Sequence, residues 1–468
     1  MTQRRFRHAA ALVLAFAVCA ASALGAQDTK RETPPPLGTP KPFALPPKHE
    51  LTLPNGMKIT LVRFGTVPKV SVYCDVRTGH IDEKSNEVAL SDVTGDMMRE
   101  GTSTRSATQI EEQVGGMGGS LAISVDDDEA SIGGAVLSEH VPEMVRLVAD
   151  VVRNPSFPDS ELARVIANES RDVAISKSQP QSVAREEFVK TLYGDHPYGR
   201  LYPTDDMLKS YTIAQVKEFY ARNFGAARTH VYIVGVFDEG QMEKAVRDAF
   251  TGWPAGSAPT SKPPAPHKGH SVTLLDRPAA VQSTIMLGLP VPDPTSKDFT
   301  ALEVTDAMLG GTFGSRITTN IRENKGYTYS PFSFIGTHRH DAYWVQQADV
   351  TTKFTGASLK EIFGEIDRMQ KEAPGTPELD GIKNNMIGLF TLRNGSRGGI
   401  VTQLENEDLQ GLGDDYLSGY VKRVLAVTPA DVQRMTSTYL KPDQMTLVVV
   451  GDKATVADQL APYEQPVP

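Results

Sequence analysis

Two stretches of this chain repeat one another at a fixed offset. "TIAQVKEFYARNFGAARTHVYIVGV" begins at Thr212 and "TPADVQRMTSTYLKPDQMTLVVVGD" begins at Thr428. Thr212 and Thr428 lie 216 residues apart, and so do Gly235 and Gly451. Each stretch reads as a capped helix, a short connection and an apolar strand closed by glycine. An offset held through all of these elements marks an internal duplication. A chain built this way folds as two like units, and 468 residues suffice for two of ordinary size.

Proline marks the joints. Residues 254–270, "PAGSAPTSKPPAPHKGH", hold five prolines and separate a unit at 49–253 from a unit at 271–468. Residues 27–48 hold seven more, which neither a helix interior nor a central strand accepts, so they read as an extended arm. Residues 1–26 read as a secretory signal peptide. Arg4, Arg5 and Arg7 precede an apolar run from Ala9 to Ala21, and the small residues Ala23, Gly25 and Ala26 follow. The expected location is therefore beyond the inner membrane, in the periplasm. No other apolar run reaches the ~18 residues of a membrane span.

Cleavage of such a leader removes three arginines and no acid, moving the net charge from −9 to −12. That balance argues against nucleic acid and anionic surfaces as partners. Cys74 would then be the remaining cysteine, so no internal disulfide is expected. It alternates with Val70, Val72 and Val76 and reads as a small buried hydrophobe.

Within the first unit, "HELTLPNGMKITLVRF" is a hairpin around Asn55-Gly56 and "KVSVYCDV" a strand. "SATQIEEQV" opens with a capping box, Ser106 and Gln109. "SLAISVD" and "EASIGGAVL" flank the acidic turn Asp126–Asp128, and residues 138–153 and 159–177 carry long helical patterns. Hairpins followed by helix pairs imply an α+β class: two homologous domains, each a mostly antiparallel sheet with helices on one face, arranged as a half-shell with a space between the layers.

Familiar catalytic motifs are absent: no phosphate loop, no G-x-S-x-G, no H-E-x-x-H and no H-x-x-E-H. His338 and His340 read as solvated turn residues, and His196 as a histidine that fixes its loop. The anomaly is "LSDVTGDMMREGT", residues 90–102, which reads as the end of an amphipathic helix capped near Gly101. It places Asp92 and Asp96 one turn apart, with Gly95 beside them. Like charges at that spacing are unfavourable, and a mid-helix glycine costs about 1 kcal/mol.

The hairpin "LPNGMKITLV", the helix ending "MMREGT", "SATQIEEQVGGMGGSL", the helix pair, "GDHPYGR" and the duplication together resemble the pitrilysin/insulinase family of zinc metallopeptidases. The resemblance spans about residues 49–453. In that family the helix ending in G-T carries H-x-x-E-H, whose histidines bind zinc and whose glutamate activates water. Here the motif falls on Asp92-Val93-Thr94-Gly95-Asp96, so both histidines are aspartate and the general base is Gly95. The resemblance places a third ligand at Glu169. Three readings stay open for Asp92, Asp96 and Glu169: a solvated acidic face, a non-catalytic metal site, or a hydrolase with carboxylate ligands.

"LGGTFGSRITTNIRENKGYTYS", Leu309 to Ser330, resembles the family's substrate-holding segment. There an arginine and a tyrosine seven residues apart face the zinc across the cavity, and Arg322 and Tyr329 have that spacing. Tyr327 is a competing phenol. Gly310, Gly311 and Gly314 read as positions of close backbone approach. The resemblance thus implies a non-catalytic subunit with no zinc of its own. It would supply peptide-binding and oxyanion-stabilising groups to a partner bearing H-x-x-E-H, as a heterodimer acting on peptide or unfolded polypeptide. A peptide-binding or scaffolding protein without hydrolysis is the alternative.

Overall fold

The computed structural model describes residues 44–259 and 263–466. The signal-peptide segment and residues 27–43 of the proline-rich arm lie outside the described residues.

The first half starts with the hairpin β1 (Lys48–Thr52) and β2 (Lys58–Arg63), where Gly56 takes the positive φ of 89° that the turn needs. There follow β3 (Lys69–Val76), α1 (Leu90–Arg99), α2 (Ala107–Gly116), β4 (Ala122–Val125) and β5 (Ala130–Leu137). Helices α3 (Val141–Arg153), α4 (Asp159–Ser178), α5 (Pro180–Tyr193), α6 (Asp205–Ser210) and α7 (Ile213–Asn223) lead to β6 (Thr229–Gly235) and α8 (Glu239–Phe250). The second half holds β7 (Ser271–Asp276), β8 (Gln282–Val291), α9 (Phe299–Asp306), β9 (Phe332–His338) and β10 (Asp341–Thr351). Then come α10 (Thr355–Lys371), α11 (Thr376–Arg393), α12 (Arg397–Gln410), α13 (Asp415–Ala426), α14 (Pro429–Tyr439), β11 (Thr446–Gly451) and α15 (Lys453–Leu460). Two π-helical turns, Ala307–Gly311 and Thr318–Asn324, lie between α9 and β9.

The duplication is visible in the sheets. Their strand orders are β1-β2-β6-β3-β5-β4 and β7-β11-β8-β10-β9. Setting β1 aside, the two orders coincide strand for strand. The pairs β2/β6 and β7/β11 are parallel, and the other pairs are antiparallel. The capping box predicted at Ser106 and Gln109 is present, and Thr212 and Thr428 form capping boxes with Gln215 and Asp431.

Alternation along β3 explains how each sheet is covered. Val70, Val72, Cys74 and Val76 join a buried cluster with α1, α3, α7 and α8 of their own half. The other face meets a helix from the opposite half. Ile400, Val401 and Leu404 of α12 pack on Val62, Tyr232 and Val234. Reciprocally, Phe188, Leu192 and Tyr193 of α5 pack on Met286, Val345, Val448 and Val450. Helices α5 and α12 begin 217 residues apart, the duplication spacing to within one residue. The halves thus exchange one helix each, and at this seam the space expected between the layers is filled. Both halves belong to one compact unit.

Candidate functional site

Helix α1 lies wholly within the anomalous stretch, beginning at Leu90 and ending at Arg99. Ala89 takes a left-handed conformation at φ 65°, and the buried Glu83 serves as the cap in place of an N-cap side chain. Its carboxylate accepts from Ala89 N at 3.1 Å, Ser91 N at 2.9 Å and Ser91 Oγ at 2.5 Å. These satisfy amides that a helix start leaves open. Burial pushes the Glu83 carboxyl up to about 7, against the opposing effect of His80 and Ser91.

The helix is wedged between β4 and α4. Gly95 lies under β4: a Cβ built on it would stand 2.8 Å from Val125 Cγ2 and 3.6 Å from Ile123 Cγ2. The gap that the sequence shows at position 95 is therefore filled by a valine methyl. Asp96 and Glu169 share one electrostatic environment with Asp92. Burial pushes the Glu169 carboxyl up to about 7, and the charges of Asp92 and Asp96 add to the rise. Burial also raises Asp96, with Asp92 and Glu100 adding and Arg99 opposing. The three positions read from the sequence are thus brought together.

A fourth residue joins them that sequence reasoning missed. His80 Nε2 lies 2.9 Å from Asp92 Oδ2, and His80 Nδ1 lies 2.9 Å from Asp127 Oδ1. A ring whose two nitrogens both face carboxylates donates from both and is an imidazolium. Burial alone would lower its pKa; the bonds to Asp127 and Asp92 outweigh it and hold the ring well above the ordinary histidine value. Asp127 continues the chain to the second half, with its Oδ2 3.3 Å from His338 Nδ1. His338, expected to be solvated, is buried at the end of β9 and stacks on Tyr198 at 4.0 Å between centroids. His196 caps the turn at Pro197–Gly199 by accepting from Tyr198 N, as its sequence context suggests. His80 carries no periodic or motif signal, because its partners come from a helix and a hairpin remote in sequence. Among the described residues, no group of three His, Cys, Asp or Glu side chains is arranged to hold a metal ion.

Arg322 and Tyr329 meet directly. The Arg322 guanidinium lies 4.6 Å over the Tyr329 ring and 4.6 Å over the Phe313 ring, and its Nε is 2.9 Å from Glu323 Oε1. Stacking uses the faces of the guanidinium and leaves in-plane N–H groups for an acceptor. Arg322 sits in the second π-helical turn, a local geometry that recurs at functional positions. Tyr329 is 76% exposed and Phe313 68%. Tyr327 has the other fate: its ring stacks on Phe354 at 4.4 Å and packs against the second core. Thr328 between them is tied to β10 through Asp349 O at 2.6 Å. Tyr327 is thus turned inward and Tyr329 outward, opposite fates that a regular strand would not give to positions two apart; the segment is a bend around the isolated bridge of Thr328 to Val350. A Cβ on Gly310 would meet Ser333 and Gln346, and one on Gly311 would meet Asp306, whereas Gly314 faces open space.

Comparison with known proteins agrees with the fold and the order of the segments. Residues 59–204 match the model described as insulinase (peptidase family M16), and residues 210–386 match the peptidase M16 inactive domain. The chain is 27% identical over 407 residues to an uncharacterized zinc protease of Mycobacterium tuberculosis, covering 84% of this chain and 89% of the relative. It is 23% identical over 419 residues to an uncharacterized zinc protease of Streptomyces coelicolor, covering 86% and 90%. A peptidase M16 inactive domain from Pseudomonas fluorescens superposes with a TM-score of 0.79 at 24% identity, over 86% of this chain and 98% of that one. A protease from Helicobacter pylori gives 0.82 at 18%, over 87% and 100%. The chain belongs to the insulinase, or M16, peptidase family.

Proposed function

We propose that this chain is the non-catalytic subunit of an exported zinc peptidase, paired with a homologous subunit that carries H-x-x-E-H. Its own contribution is to hold an extended peptide and to present Arg322 and Tyr329 to the peptide carbonyl. The single observation that carries the reading is at Gly95, where a general base would need space that Val125 fills. General-base catalysis is typically worth about 10²–10⁴ in rate.

The residues left in the emptied site do not fit zinc. Zinc sites of this kind use two imidazoles beside one carboxylate, whereas here all three positions carry carboxylates and Asp92 Oδ2 already accepts from His80. The His80 ring takes up the Asp92 carboxylate that a metal would need, which disfavours the self-contained hydrolase. Zinc bound by the partner would supply the activated water. This chain's part is a bidentate or single donor to the carbonyl oxygen from Arg322, supported by the Tyr329 phenol, which stabilises negative charge as it develops. Residues 1–26 support export to the periplasm as the place of action.

The test is cleavage of an unstructured peptide by this chain, by a motif-bearing partner, and by their mixture. Turnover is expected from the mixture, with loss on chelation and a drop of about tenfold or more for Arg322→Ala. Chelator-sensitive turnover by the homogeneous chain overturns the reading. Peptide binding by the mixture without cleavage favours the scaffolding alternative.

A further inference from the structure

The second half places a helix, α9, where the first half places α1. Helices α9 and α1 are the first α-helices to follow β8 and β3, strands that hold corresponding places in the two sheets. Beside α9 lies a cavity of about 420 Å³ bounded by β9, α11, α12 and α13. Its walls are mixed: Phe299, Phe334, Met386, Phe390, Tyr416 and Tyr420 supply apolar and aromatic surface between polar side chains. Polar and charged groups converge on it beside the rings, as in a site that fixes a small molecule by both.

Two of those groups are carboxyls of α9, and they differ in one respect. Asp306 Oδ1 accepts from Ser333 Oγ at 2.5 Å and from Trp344 Nε1 at 2.7 Å. Glu303 lines the cavity, yet its Oε2 is buried with no hydrogen-bond partner among the described residues. Two arginines, Arg423 and Arg393, lie near enough for their charge to act on Glu303. Arg423 donates to Thr300 Oγ1 and Tyr416 O and stacks on the Tyr416 ring at 4.4 Å. Arg393, from the last turn of α11, lines the cavity without an ion pair to Glu303 among the described residues. A buried acceptor left open is uncommon and calls for a donor.

We propose that this cavity binds an organic cation on an apolar stem, with Glu303 taking the ammonium or guanidinium and the surrounding rings taking the stem. A free amine and a basic peptide side chain share that chemistry. The aromatic faces add attraction to the cation itself. Burial pushes the Glu303 carboxyl up to about 8, with Asp306 adding to the rise and Arg423 and Arg393 opposing it. The ligand-free acid therefore holds its proton near neutral pH, and an arriving cation displaces it. This inference stands apart from the pairing proposed above, since it uses neither Arg322 nor a partner subunit.

The experiment is calorimetric titration of the full chain with 4-phenylbutylamine, with N-acetyl-Phe-Lys-amide and with the neutral 4-phenylbutanol. It is run near neutral pH in buffers of different ionisation enthalpy. At least one amine should bind about tenfold or more tightly than the alcohol, with release of about one proton. Which amine binds identifies the source of the cation. Glu303→Gln should weaken binding by about tenfold and abolish proton release, while Arg322→Ala leaves both unchanged. Equal affinity for amine and alcohol, binding without proton release, or no binding at all overturns the proposal. The proton count is read on the wild-type chain and so does not depend on the variant's folding.

Discussion

Gly95 has no side chain, and Val125 is the reason it tolerates none. In a helix interior, Gly→Ala is usually favourable by about 1 kcal/mol. Here the new Cβ would stand 2.8 Å from Val125 Cγ2, and overpacking of that kind costs about 1–3 kcal/mol. Gly95→Ala should therefore lower stability in urea unfolding, and the same change in a Val125→Ala background should raise it. A stabilised single variant would refute the packing account. Glu169 offers a second test at this scale. Its carboxyl is pushed from an ordinary 4.5 to about 7 in the folded chain. The folded state then binds the proton more tightly, so stability falls as pH rises through that window and the loss is complete above it. Glu169→Gln should remove this fall and gain on the order of 1–2 kcal/mol at alkaline pH, less than a full conversion because the group is partly exposed. Parallel stability–pH curves for the two proteins would contradict it. Asp92, Gly95 and Asp96 were legible as departures from the motif of the family that the chain resembles, and Glu169 as the position that keeps it. His80 was not, because a lone histidine in a loop has no spacing to betray its partners.

Elements were legible where the signal is local. The Asn55-Gly56 hairpin, the strand at 69–76, the capping boxes and the paired helices after residue 138 are all present. The two π-helical turns were not foreseen, since side-chain periodicity does not distinguish them over a single turn. Neither was the exchange of α5 and α12. An amphipathic pattern says that one face of a helix is apolar, not which sheet will cover it. That exchange makes a prediction for the elements. Phe188 is fully buried against the opposite sheet, so Phe188→Ala should cost about 3–5 kcal/mol. The loss should fall on both halves together. Trp253 reports on the first half and Trp344 on the second, so their unfolding transitions should move to lower denaturant and still coincide. Transitions that separate would show that the exchanged helices do not couple the halves.

At the scale of the whole molecule, the seam is polar as well as apolar. Asp408 of α12 lies 2.6 Å from Arg77 Nη2, 3.0 Å from Lys58 Nζ and 3.3 Å from His230 Nδ1. Tyr193 donates to Asp341 at 2.6 Å, and Asp127 links His80 to His338. The emptied site is therefore wired to the second half through the seam. The sequence by itself determined the duplication, the α+β class, most strands and helices, and the absence of an H-x-x-E-H motif. Each of those follows from local pattern or from a fixed offset along the chain. Tertiary structure alone decided what lies against Gly95, which imidazole sits against Asp92, which tyrosine faces outward beside Arg322, and that Glu303 Oε2 has no donor among the described residues. Those outcomes depend on side chains that meet in space from elements far apart in sequence, and no periodicity in one dimension encodes such meetings.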